Sequence, residues 1–136
     1  MREAVTILSE EEELFRATVR EFSDQEVAPG AIERDRNGMI EPELVSKLFE
    51  LGVMGVEIPE RFGGADGSLF LTCLAIEEIS RADASVGAMV DVQNTIVAGA
   101  ILAWGTEPQR EEFLTRLVSG SIGSYALSEA SSGSDA

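Results

Sequence analysis

Two helix-capping signals near opposite ends of the chain constrain its fold more than any other feature. Ser9 is followed three residues later by Glu12, and Thr106 is followed at the same interval by Gln109. In that spacing the hydroxyl and the longer side chain each satisfy a backbone N–H that a helix start leaves without a partner. Between the two signals, apolar residues recur at helical rather than alternating spacing. The first stripe is Leu14, Phe15, Val19 and Phe22, behind Glu10, Glu11, Glu12 and Glu13, whose charges suit the positive end of a helix dipole. Pro29 and Gly30 are expected to end that helix.

A second helix is predicted from Pro42, a residue suited to a first helical position. Leu44, Leu48, Phe49 and Leu51 face inward, and Gly52 supplies the stop. Val53 to Ile58 reads as a buried extended link, and Pro59 to Gly67 as a glycine-rich loop. A third helix follows from about Ser68 to Arg81, with Leu71, Leu74, Ala75, Ile76 and Ile79 apolar; Glu77 and Glu78 read as its solvated face. Asp83 caps a fourth helix reaching Trp104, whose small residues Gly87, Ala88, Ala98, Gly99, Ala100 and Ala103 permit close packing. Trp104 reads as a packing anchor, and a fifth helix runs from Thr106 to about Val118. The expected fold class is all-α, an up-and-down helical bundle over residues 1–120. Residues 121–136 differ: Ile122 to Ser128 reads as a strand with a Ser/Gly-rich continuation, the start of a truncated β-domain. A lone strand is not stable in water, so a longer protein is expected.

Composition narrows the chemistry. The chain of 136 residues has no histidine, which removes histidine bases, Ser-His-Asp triads and the commonest transition-metal ligand; no metal site is expected. Ten Lys+Arg against 25 Asp+Glu give a net charge of −15, a surface that repels nucleic acid and anionic membrane. An anionic substrate would be repelled too, so cationic contacts for one must be local or come from elsewhere. Cys73, the one cysteine, fits a reducing compartment and reads as a small buried hydrophobe. The first residues lack the charged-then-apolar pattern of a secretory signal. No run of 18 apolar residues is uninterrupted; the weakly charged stretch Ala84 to Gly105 contains Asp91, Gln93 and Asn94 and reads as a buried core helix.

Three segments carry a resemblance. They are Ile58-Pro59-Glu60-Arg61-Phe62-Gly63-Gly64, Gly105-Thr106-Glu107-Pro108-Gln109-Arg110, and Tyr125-Ala126-Leu127-Ser128-Glu129-Ala130-Ser131-Ser132-Gly133-Ser134-Asp135. In that order and spacing the chain resembles acyl-CoA dehydrogenases. The third segment departs from the usual family pattern: Ser128 stands for threonine, Ala130 for proline, and Ser131-Ser132 for glycine-alanine. The Ser-Glu-Ala form, Asp83-Ala84-Ser85-Val86 and Val92-Gln93-Asn94-Thr95 are similar to short/branched-chain members.

The resemblance implies an FAD-dependent oxidoreductase that converts a short or branched-chain acyl-CoA to the 2-enoyl-CoA and passes electrons to an electron-transferring flavoprotein. It implies a homotetramer, located in the cytoplasm or, in a eukaryote, the mitochondrial matrix. The catalytic base would be a glutamate of a carboxy-terminal domain beyond Ala136, so no catalytic residue is expected here and the chain alone is expected to be inactive. Tyr125, Leu127, Ser128, Gly133 and Ser134 would contact the cofactor, with the Ser128 hydroxyl at the flavin N5–O4 edge. Ser134 would also approach substrate, and Met89, Val92 and Ile96 would line the acyl chain. For those three, filling the helical core is an equal reading, and a solvated turn is the plainer reading of Glu60 and Arg61. Two other functions stay open: an oxidase on the same scaffold, and a non-catalytic helical interaction module.

Overall fold

The computed structural model describes residues 7–134, and its regular structure is helical. Helix α1 (Glu10–Phe22) opens on the expected capping box: Ser9 Oγ accepts from Glu12 N, and Glu12 answers at Ser9 N over 2.7 Å. Pro29 and Gly30 do not end the helical path. A wide π turn at Ser23–Val27 and a tight 3₁₀ turn at Ala28–Gly30 lead directly into α2 (Ala31–Asn37). Proline removes one N–H and crowds the carbonyl four residues back; the widened turn displaces the ladder where Pro29 would break it. The true stop is Gly38, left-handed at φ 62°.

Helix α3 (Pro42–Leu51) ends at Gly52, also left-handed at φ 86°. Val53 to Ile58 is buried as expected, apart from half-buried Glu57, but it coils through a 3₁₀ turn at Val53–Gly55 instead of extending. Helix α4 (Leu69–Ala82) follows the loop. Asp83 then caps α5 (Ala84–Asp91), accepting from Ser85 N and Val86 N. A π segment, Val92–Ala98, joins α5 to α6 (Gly99–Trp104), so residues 84–104 form one helical rod. Asn94 Nδ2 and Thr95 Oγ1 bond the carbonyls four residues back, Val90 O and Asp91 O; such bonds compete with the regular ladder and open the turn. Helix α7 (Glu107–Val118) starts on the second capping box, Thr106 with Gln109.

The main core gathers Val19, Val27, Leu44, Leu48, Val53, Met54, Ala75, Ile79, Val86 and Val90. Helices α4 and α5 approach closely because Gly87 has no side chain: a Cβ there would lie 3.1 Å from the Ser80 Cα. A second core joins Ile58, Phe62, Ala98, Leu114 and Leu117. Charge also enters the interior. Arg34, 4% exposed, bonds Asp83 at 2.7 Å and Glu41 at 3.2 Å and donates to Val27 O. Glu78 is not on a solvated face: it is 2% exposed and held bidentately by Arg20 at 2.7 and 2.8 Å.

Two further sequence expectations are corrected. Cys73 is exposed, because it shares the outer line of α4 with Leu69 and Glu77. Trp104 anchors nothing among the described residues: at 88% exposure it lies two turns beyond Ile96 on the open side of the rod. The rod is long and apolar enough to cross a bilayer by length and composition. Its Gln93 and Asn94 are nonetheless buried and bonded to neighbouring elements, as in a helix packed within protein.

Candidate functional site

The rod presents two faces. Val86, Val90, Gln93, Asn94 and Ala98 are buried against the two cores. Met89 and Val92 are half-buried and Ile96 is 37% exposed, on the more open side. Met89 also packs against the main core, so it serves both readings; Val92 and Ile96 belong to neither core.

Two adjacent amides on the buried face organise the irregular backbone around the rod. Asn94 Nδ2 donates to Val53 O at 2.8 Å, and its Oδ1 accepts from Val56 N at 2.8 Å. That fixes the coil from which the glycine-rich loop returns: Ala65 N bonds Gly55 O, Asp66 N bonds Ile58 O, and Gly67 N bonds Val56 O. The loop closes tightly on itself, since a Cβ at Gly64 would stand 2.0 Å from Ile58 O, and Gly63 is left-handed at φ 91°. Arg61 lies over the Phe62 ring at 4.4 Å and pairs with Glu107 at 2.7 Å, with both charges more than half exposed. The loop is therefore fastened to α7 while Arg61 and Glu60 stay on the solvated side.

Gln93 does the equivalent for the segment after α7. Its Nε2 donates to Leu117 O and Ser121 O, and its Oε1 accepts from Gly123 N at 2.8 Å. No hydrogen bond from a described residue reaches the backbone of residues 124–128. Tyr125 is 52% exposed, Leu127 51%, and Ser128 is exposed. Residues 122–128 have no regular secondary structure, and no partner strand lies among the described residues. Glu129 and Ser132 then pair across a tight turn, with N–H to carbonyl distances of 2.8 and 3.2 Å. Gly133 has no atom of a described residue within 4 Å of where a Cβ would sit, and Ser134 is exposed. Asp135 lies outside the described residues.

The predicted cofactor residues are thus exposed, and those at 125–128 have no backbone hydrogen bond to a described residue; the segment is tethered to the rod at Gly123. The clefts found in the described residues lie elsewhere. An apolar groove of about 320 Å³ is lined by Glu11, Leu14, Phe15, Thr18, Val19 and Leu51, and another of about 400 Å³ runs between α3 and Gly120. Sequence reasoning took Gln93 and Asn94 as marks of kinship and missed their bracing role. The available signal was two adjacent carboxamides in the middle of an otherwise apolar helix, where burial requires partners.

Residues 9–121 match the family model described as acyl-CoA dehydrogenase, N-terminal domain. The chain belongs to this family. A probable short/branched chain specific acyl-CoA dehydrogenase of Dictyostelium discoideum is 39% identical over 132 residues, which is 97% of this chain and 32% of that protein. Butyryl-CoA dehydrogenase of Megasphaera elsdenii superposes with a TM-score of 0.87 at 32% identity, covering 99% of this chain and 36% of that one. A chain from the structure of the electron transferring flavoprotein of Acidaminococcus fermentans gives a TM-score of 0.88 at 30% identity, over 95% of this chain and 34% of its own. The family is one of oxidoreductases, and the chain spans about a third of the length of the relatives it matches. Its helical region is the amino-terminal helical domain of that family.

Proposed function

We propose that this chain forms the amino-terminal part of an enzyme that dehydrogenates a short or branched-chain acyl-CoA between its α and β carbons. One observation carries the reading: in a chain of this family, no described residue bonds the backbone of the strip Tyr125–Ser128, while Gln93 holds its upstream end. A bound FAD would supply the acceptor for the hydride of the acyl β-carbon. In support of such a cofactor, no described residue bonds the backbone of Tyr125 or Leu127, Ser128 is exposed, and no described atom lies over Gly133.

Backbone groups of Tyr125 and Leu127 would meet the flavin ring, and the Ser128 hydroxyl would donate to its N5–O4 edge. Gly133 and Ser134 would approach the phosphates or the substrate. Met89, Val92 and Ile96 would border the acyl chain, where the half-open face of the rod offers apolar surface. Residues 121–136 would be the first strand and turn of a second, β-rich domain, with the boundary near residue 120. Electrons would pass to an electron-transferring flavoprotein, and the active form would be a homotetramer. The single cysteine is in keeping with a reducing compartment such as cytoplasm or mitochondrial matrix.

The Ser128 hydroxyl gives the test. A donor that strengthens as charge develops on the flavin lowers the barrier, whereas one equal in both states changes only binding. In the full-length enzyme, Ser128→Ala is expected to slow flavin reduction roughly ten- to a hundred-fold, about 1–3 kcal/mol. Acyl-CoA affinity should change less. Rapid mixing with substrate measures the first quantity and equilibrium titration the second. An unchanged reduction rate in a folded, flavin-loaded variant would remove Ser128 from the site.

A further inference from the structure

We infer that Gln93 is a positioning residue for the flavin-contacting strip: its carboxamide holds residues 121–123 against the rod, so that Tyr125–Ser128 depart from a fixed point. This deepens the function proposed above and rests on it. Gln93 is 1% exposed, and its carboxamide spends both N–H groups and one lone pair on a single stretch of backbone. Nε2 donates to Leu117 O at 3.1 Å, in the last turn of α7, and to Ser121 O at 3.0 Å; Oε1 accepts from Gly123 N at 2.8 Å. Leu117 O belongs to the final carbonyls that a helix leaves without partners. Gln93 therefore caps α7 and captures the chain that leaves it.

Between those contacts the backbone reverses at Gly120, left-handed at φ 115°. A second contact fixes the same point sterically. A Cβ on Gly123 would lie 2.5 Å from Val97 Cγ1, so the backbone rests directly on the rod one helical turn beyond Gln93. Downstream, residues 124–128 receive no hydrogen bond from any described residue, and their position is inherited from this anchor.

The residue type matters. Glutamate would set a carboxylate against the carbonyls of Leu117 and Ser121, and asparagine is one methylene too short to reach all three partners. The rod that carries Gln93 also carries Val92 and Ile96. One side chain would thus couple the height of the flavin strip to the face proposed for the acyl chain.

Two readings test this. In the 136-residue chain, Gln93→Met keeps volume and deletes all three bonds; the Gly123 amide should exchange about tenfold faster while amides of the rod keep their protection. In the full-length enzyme the same substitution should weaken FAD affinity about tenfold and shift the visible flavin band. A purely structural Gln93 would lower the unfolding midpoint and leave both flavin properties of the folded protein unchanged.

Gly123→Ala keeps the test valid if Gln93→Met fails to fold. It should weaken flavin binding in the same direction, and Gly123→Ala with Val97→Ala should restore it by making room for the added methyl. Unchanged flavin affinity and spectrum in folded Gln93→Met and Gly123→Ala enzymes, beside a wild type that binds FAD, would overturn the inference alone. A full-length wild type with no flavin affinity would overturn the proposed function, and this inference with it.

Discussion

Residues 10–118 and residues 121–134 use their backbone in opposite ways. In the first region, helix ladders, two capping boxes and the Asn94 amide take up backbone donors and acceptors one after another. In the second, Gly123 N–H is engaged by Gln93 and the Glu129–Ser132 turn closes on itself, while residues 124–128 stay open. A buried backbone group without a partner is costly, and this strip avoids the cost by lying exposed. The contrast sets a region whose backbone bonds are made among the described residues against one that, in the proposed function, FAD would complete. Mutations should therefore separate cleanly: the helical region should control unfolding, and the strip should control binding.

The largest effect on stability is expected at Arg34. It is buried between Asp83, Glu41 and Val27 O, and Arg34→Met would strand the buried Asp83 carboxylate beside the core, while the Glu41 carboxylate, 42% exposed, would turn to water. Breaking such a cluster typically costs about 3–5 kcal/mol. Urea unfolding followed by circular dichroism should show a clear drop in midpoint. A midpoint near wild type would mean that water reaches this cluster, and the contrast between the regions would weaken.

Acid should expose the same cluster with a smaller effect. Burial raises the Asp83 pKa, but hydrogen bonds from Ser85, Arg34 and the backbone outweigh it, so the pKa falls below the ordinary aspartate value. For Arg34, burial is likewise outweighed by Asp83 and Glu41, and its guanidinium stays charged throughout. A carboxyl with a lowered folded-state pKa adds stability that is complete above about pH 4 and is lost as pH falls through the folded value. The difference in unfolding midpoint between wild type and Asp83→Asn should hold from neutral pH to about pH 5 and shrink at lower pH. A difference that widened in acid would contradict the sign of this shift.

These predictions draw on features that the sequence shows unevenly. Ser9-Glu12, Thr106-Gln109, Gly52 and Asp83 act locally, so their roles follow from a few neighbouring residues, and the structure has them as read. Pro29 and Gly30 misled because the π turn that accommodates them lies outside the local helix rules. Glu78 falls on the same helical line as Leu74, Ala75 and Ile79; its place in the core was visible in the spacing, but its partner Arg20 comes from a distant helix. The three segments of family resemblance identified the family, and the third is the ground for the proposed cofactor strip. The bracing by Gln93 was hidden because it joins residues far apart in sequence through one side chain.

The smallest effect on stability is expected in the strip. Tyr125 is half exposed and Tyr125→Ala should change the unfolding free energy of the 136-residue chain by less than about 0.5 kcal/mol. In the full-length enzyme, Tyr125→Pro, which deletes the backbone N–H proposed to meet the flavin, should reduce flavin content, measured by absorbance per protein after gel filtration. A large loss of chain stability would show that Tyr125 belongs to the helical core after all.

The central claim is that residues 125–128 are completed by flavin, and one measurement tests it most directly. Backbone amide exchange in the full-length protein, with and without FAD, reports which groups the cofactor covers. The account predicts that amides at Tyr125 to Ser128 become protected when FAD binds, while those of α3, already paired within their helix, do not change. Binding of FAD that leaves Tyr125 to Ser128 as exchangeable as before would contradict it.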